Sequence, residues 1–135
     1  MYTNKIEYLL QILIDLAKHA AGSQENYILS REIAERQNIP PKYVPQLMAI
    51  LTKRGWVDSV RGAGGGVKLA VDPASITIQD VVDATGDNFF VKACLSEESS
   101  CQRKSTCPLF PVWQKAQESL RNIMKSATIA ELASE

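Results

Sequence analysis

The sequence predicts a mainly α fold with a small β wing: a winged helix–turn–helix followed by a long C-terminal dimerisation helix. Three observations predict it. Two helical segments flank a short turn between Ser30 and Arg54. Directly after them, two strand-like runs bracket the tip Gly62-Ala63-Gly64-Gly65-Gly66. Near the C-terminus, a long amphipathic segment carries an apolar stripe that a domain of 135 residues has little left to cover.

Each element has its own signal. In residues 5–20, Ile6, Leu9, Leu10, Leu13, Ile14 and Ala17 recur at spacings of three and four, which gathers them on one helical face. Gly22-Ser23 ends that helix. Ser30 reads as an N-cap, with Glu32 in a first turn where the helix dipole favours an anion. The helix Arg31 to Gln37 follows, then the turn Asn38-Ile39-Pro40. Pro41 suits the first position of the next helix, where its missing N–H would have had no partner. That helix runs to Arg54, with Val44, Leu47, Met48 and Leu51 inward and Gly55 as a left-handed cap. Trp56 to Val60 and Val67 to Val71 form the hairpin. Asp72-Pro73 breaks the second strand. Thr77-Ile78-Gln79-Asp80 is a capping box that opens a short helix ending at Gly86. A polar stretch covers 91–107. Pro108 opens the long helix to about Lys125, striped by Val112, Trp113, Ala116, Leu120, Ile123 and Met124. Thr128 to Glu131 caps a terminal turn in the same way as Thr77. A second copy of the chain is the cover expected for the stripe. The chain therefore divides into a winged helix–turn–helix unit, 1–71, and a cysteine loop with dimerisation helix, 72–135.

The formal net charge is zero, but residues 1–71 hold nine Lys/Arg against six Asp/Glu, and residues 72–135 the reverse. Between Lys42 and Lys68, five cations face the single Asp58. Such a local basic surface attracts phosphate even on a neutral molecule. No run of eighteen apolar residues exists to span a membrane. The N-terminus lacks the basic flank and cleavage site of a secretory signal, so a cytoplasmic location is expected.

Two constellations carry chemistry. In a helix–turn–helix the second helix enters the DNA major groove with its first turns toward base edges. Lys42, Tyr43 and Gln46 occupy those turns; Gln pairs with adenine and Lys donates to guanine. Lys53 and Arg54, at the far end, suit phosphate, and Arg61 on the wing suits a narrow minor groove. Ser30, at the start of the motif, is counted with them. A nucleotide-cradling reading of the glycines fails: no Lys-Ser/Thr follows, and Val67 stands where the dinucleotide fingerprint needs its last Gly. The second constellation is Cys94, Cys101 and Cys107, which are all the cysteines of the chain. In a reducing compartment, clustered thiols bind metal or act in redox more often than they form structural disulfides. Structural zinc prefers pairs two to four residues apart. These wider intervals suit a loop around an iron–sulfur centre, and a redox disulfide with one spare thiol, or three unconnected thiols, remain open. There is no Cys-x-x-Cys and no Cys–His pairing close in sequence, so a thiol enzyme is not expected.

Taken together, these residues resemble the Rrf2 family of bacterial winged-helix transcription regulators. The match covers nearly the whole chain. It rests on the ordered combination of Ser30-Arg31-Glu32-Ile33-Ala34, Ile39-Pro40-Pro41-Lys42-Tyr43, the wing VRGAGGGVKLA, Ile76 to Val81, the three cysteines and Thr128 to Leu132. The resemblance implies a homodimer joined through the long helix and bound to a palindromic double-stranded DNA site. It implies an iron–sulfur cluster, 2Fe-2S or 4Fe-4S, held by Cys94, Cys101 and Cys107, through which redox, nitric oxide or iron status sets promoter affinity. Some members lack the cysteines, so the alternative is a cluster-free regulator switched by thiol oxidation or a small-molecule effector. Some relatives place a His after the last Cys; here Pro108 to Pro111 contain none, and His19, the only histidine, suits the end of the first helix. Others take an acidic ligand from the N-terminal helix of the partner subunit, a position that falls on Glu7. Trp56 also departs from the family, which usually has a smaller aliphatic residue there; a packing change is expected.

Overall fold

The computed structural model describes residues 3–20, 27–60, 66–86, 90–92, 95, 102 and 104–135. Helix α1 spans Asn4–Ala20, α2 spans Ser30–Gln37, and a 3-10 turn at Pro41–Tyr43 leads into α3, Val44–Lys53. Strands β1 (Val57–Val60) and β2 (Gly66–Leu69) form the wing. A 3-10 turn at Pro73–Ser75 precedes α4 (Ile78–Ala84), and α5 (Phe110–Ser126) and α6 (Ile129–Ala133) complete the chain.

Helix α1 is the centre of the molecule. Ile6, Leu9, Ile12, Leu13 and Leu16 are all buried, and α6, α2, α3, α4 and β2 pack around it. The buried face is rotated from the one expected: Ile12 and Leu16 join it, while Leu10, Ile14 and Ala17 are half-buried. A helix enclosed from several sides has no single apolar stripe, so a one-face periodicity misplaces its edges. Ile33, Leu47, Leu51, Val57 and Val67 from the winged motif meet Ile76, Val81, Val82 and Ile129 in the same core. Residues from both sides of position 72 therefore share one interior.

Local chemistry sets the boundaries. Asn38 takes a left-handed φ of 55° and closes α2 by donating its N–H to Ala34 and Glu35 carbonyls. Gly55, at φ 74°, closes α3. Its N–H donates to Thr52 O and the Trp56 N–H to Leu51 O, the paired pattern of a Schellman cap. Thr77 and Asp80 form the expected capping box, each side chain accepting from the other's backbone N–H at 3.1 and 3.0 Å. At Thr128 one half of that pattern is made: its hydroxyl accepts from Glu131 N at 3.2 Å. Ser30 differs from expectation. Leu29 is the N-cap, and Ser30 is the first helical residue with no side-chain cap bond at this end. The cause lies upstream. Ile28 exchanges backbone hydrogen bonds of 2.8 and 2.7 Å with Val67, which holds the chain extended through Leu29. The wing is thus fastened to the root of α2 as well as to α3.

A polar knot ties α1 to α2. Asp15 is buried, and Arg36 reaches it through two parallel bonds, Nε–Oδ2 at 3.0 Å and Nη2–Oδ1 at 2.7 Å. Gln37 adds a bond of 2.9 Å to Oδ2, and His19 Nδ1 lies 3.3 Å from Oδ1. Burial pushes the Asp15 carboxyl up, but the Arg36 and Gln37 hydrogen bonds and the Arg36 and His19 charges outweigh it and hold it below its ordinary value.

Candidate nucleic-acid interface and cysteine loop

The turn Pro41–Tyr43 and the first turn of α3 make an exposed ridge. Lys42, Tyr43 and Gln46 are all exposed on it. Two prolines shape this ridge. Pro41 opens the 3-10 turn, and Pro45 sits in the first turn of α3, where an N–H would have no intrahelical acceptor. The Lys42 ammonium lies 5.1 Å from the Tyr43 ring centre, and Tyr43 stacks on Tyr8 of α1 at 6.0 Å. The tyrosine is thereby fixed from behind, while its position on the ridge stays open to a partner.

A groove of about 440 Å³ separates the ridge from the wing. Ser30 and Arg31 from α2, Pro45 and Met48 from α3, and Ser59 and Val60 from β1 line it. Ser30 is half-buried at this groove, so its hydroxyl is placed beside the ridge although it caps nothing. Lys53 and Arg54 are exposed at the opposite end of α3, and the Arg54 guanidinium lies 6.0 Å from the Trp56 ring. Trp56 itself is half-buried against the core, a packing role as expected. The antiparallel wing pairs Val57 with Leu69 and Val60 with Gly66. Arg61, at its tip, lies outside the described residues. Among the described residues, then, ridge, groove and wing present basic and polar side chains on connected surfaces.

The cysteine segment is held at both ends by one helix. At its start, the Val91 N–H donates to Gln117 Oε1 of α5 at 2.7 Å, and the Lys92 ammonium lies 6.0 Å from the Trp113 ring. At its end, Cys107 is a free, half-buried thiol, and its carbonyl accepts from Phe110 N as α5 begins. Cys94 and Cys101 lie outside the described residues. Glu7 is exposed in the first turn of α1. The long helix itself buries none of its residues; Val112 and Ile123 are 54% and 62% exposed. Among the described residues, no helix is long and apolar enough to cross a membrane.

Sequence reasoning missed the Asp15 knot and the approach of Tyr8 to Tyr43. Both depend on pairs more than twenty residues apart, and no local pattern marks them.

A family model, Rrf2, described as an iron-dependent transcriptional regulator, matches residues 2–135. The HTH-type transcriptional regulator IscR of Serratia proteamaculans is 34% identical over 130 residues, which is 96% of this chain and 77% of that protein. Among solved structures, T. potens IscR superposes with a TM-score of 0.72 at 31% identity, over 99% of this chain and 86% of that one. The oxidized form of Staphylococcus aureus CymR gives 0.76 at 28% identity, over 100% and 98%.

Proposed function

The chain belongs to the Rrf2 family of transcription regulators, and from that premise we propose that it reads palindromic double-stranded DNA as a homodimer, under the control of an iron–sulfur cluster. It is a transcription regulator, not an enzyme. The observation that carries the DNA half is the exposed ridge of Lys42, Tyr43 and Gln46 beside a groove shared by α2 and the wing. In this reading Lys42 and Gln46 meet base edges, and Tyr43, Ser30, Lys53 and Arg54 meet the backbone. Arg61 enters the minor groove from the wing. Two copies joined along α5 set the distance between the two ridges, as half-sites one helical turn apart require.

The donor chemistry of the cysteine segment fits the cluster. Thiolates are its main ligands, and Cys107 is a free thiol at one foot of a loop whose other foot is tied to the same helix. Cys94, Cys101 and Cys107 would hold it, with Glu7 of the other copy as fourth ligand, and its chemistry supplies a centre that responds to redox state, nitric oxide and iron supply. Glu7 is exposed, so a second copy can reach it. What the chain contributes is leverage. Any rearrangement between residues 93 and 106 pulls on Val91 and Cys107, and both act on the first half of α5. Helix α5 packs on α4, which is seated in the core beneath the DNA-reading unit. A signal shifts the two heads only so far as it favours one arrangement of them. The division of labour is thus DNA reading in 1–71 and sensing and dimerisation in 72–135. The free thiol of Cys107 also accords with a cytoplasmic location.

The deciding experiment is anaerobic purification with visible absorbance, iron and sulfide analysis. A coloured protein containing both elements is expected, and Cys101→Ala is expected to lose them while keeping fold and dimer. A colourless wild type after anaerobic reconstitution refutes the cluster. A second reading then stands: a cluster-free regulator switched by thiol oxidation, supported by the likeness to the oxidized form of S. aureus CymR. Small-molecule control would instead require an effector that changes DNA affinity with the thiols blocked.

A further inference from the structure

Building on the DNA-reading function above, we propose that Lys5 and Tyr8, in the first turns of α1, form an additional grip on the DNA sugar–phosphate backbone outside the helix–turn–helix and wing. A cleft of about 490 Å³ opens between α1 and the ridge. Lys5 and Tyr8 line one side of it, and Lys42, Tyr43 and Gln46 the other. Its lining includes two lysines and no carboxylate, so its field favours an anion. The parts are held in place. Tyr8 and Tyr43 stack with ring centres 6.0 Å apart and planes 28° apart, and the Lys42 ammonium lies over the Tyr43 ring. That cation–π contact keeps the charge at the cleft.

The occupant follows from what borders the cleft. The side formed by Lys42, Tyr43 and Gln46 is the surface that faces a duplex. A helix lying in the major groove is flanked by the two phosphate strands that form the groove's rim. An element packed against the first turn of that helix meets one of those strands. Lysine ammonium and tyrosine hydroxyl groups are ordinary phosphate donors. A small apolar effector fits less well, because it would leave the two lysine ammonium groups at the cleft, Lys5 and Lys42, without an anionic partner.

The test uses the full-length protein and a fluorescent duplex selected by it from a random pool. Binding is titrated from about 50 to 200 mM salt, the range over which phosphate contacts dominate the change in affinity. For Lys5→Ala, the slope of log affinity against log salt should become shallower by about 1. Its affinity should fall by the same factor on the selected duplex and on a scrambled one, since a phosphate contact carries no sequence information. Lys5→Arg should restore the slope. Lys18→Ala, about 20 Å further along the same helix, should keep it. Circular dichroism melting checks each variant, and Lys5→Gln replaces Lys5→Ala should the latter melt early. A folded Lys5 variant with the wild-type slope overturns the proposal, as does a loss confined to the selected duplex. A wild type with no salt-dependent duplex binding overturns the DNA-reading function itself.

Discussion

At the scale of single residues, the Asp15 knot shows how a charge is kept inside an α-helical core. Its carboxylate would be costly to bury alone. Arg36 and Gln37 supply three hydrogen bonds, and Arg36 is itself 38% exposed, so only one partner of the pair loses its water. Removing one member of a buried pair leaves the other uncompensated. Asp15→Asn is therefore expected to destabilise the fold by about 2–4 kcal/mol near neutral pH, less than a fully enclosed pair because Arg36 reaches solvent. The direction of the Asp15 shift also dictates a pH dependence. Its folded value lies below its unfolded one, so its contribution is complete above an unfolded value of about 4 and drains away as pH falls through the lower, folded value. Urea unfolding of wild type and Asp15→Asn across that acid range should show the two curves converging as pH drops. A constant gap would mean that the carboxylate's ionisation contributes nothing. None of this is visible along the chain: Asp15 stands as a single charge within an apolar run, Leu13 to Leu16. Its hydrogen-bond donors Arg36 and Gln37 are 21 and 22 positions away.

Elements with local chemistry were mostly legible, and those set by distant pairing were not; one local signal failed, since α5 starts at Phe110 with Leu109 as N-cap and Pro111, not Pro108, in its first turn. The Thr77 capping box, the left-handed Gly55 and the Pro41 start each depend on neighbours within a few residues, and each stands where the sequence places it, although Pro41 opens a 3-10 turn and α3 proper begins at Val44. The Ser30 cap does not, because Ile28 pairs with Val67, almost forty positions further on, and sets the entry to α2. That pairing gives Gly66 its role. Its φ is 150°, and a side chain there would press directly on the Ile28 carbonyl and the Leu29 nitrogen. Gly66→Ala must strain the backbone or break the bridge, so a loss of more than about 1 kcal/mol is expected. Because the bridge joins wing to α2, the amides of Ile28 and Val67 should lose hydrogen-exchange protection while those of α1 keep theirs. Specific DNA affinity should fall with them. Full protection at Ile28 in the variant would show that the wing tolerates the added methyl group and is fastened elsewhere.

For the whole molecule, the unresolved balance is between a well-filled centre and an uncovered arm. Helix α1 is surrounded, yet α5, about 25 Å long by its 17 residues, buries none of its own side chains. Its apolar positions were legible because a regular stripe needs no tertiary knowledge; what covers them was an inference from size alone. Val112 and Ile123 lie eleven residues apart, three turns, so they fall on the same face. An exposed row of this kind marks an association surface, and a second copy presenting the same row is self-complementary under two-fold symmetry. The double variant Val112→Glu, Ile123→Glu should thus be monomeric by sedimentation while its circular dichroism melt stays close to wild type, since neither side chain belongs to the core. The same change should separate the two modes of DNA contact. Affinity for a palindromic duplex should collapse toward that for a single half-site, because joining the heads is what makes the second contact intramolecular. Affinity for a half-site alone should change little. A variant that remains dimeric would place the interface elsewhere, and one that is monomeric yet binds the palindrome as tightly as wild type would remove the dimer from the mechanism of DNA reading.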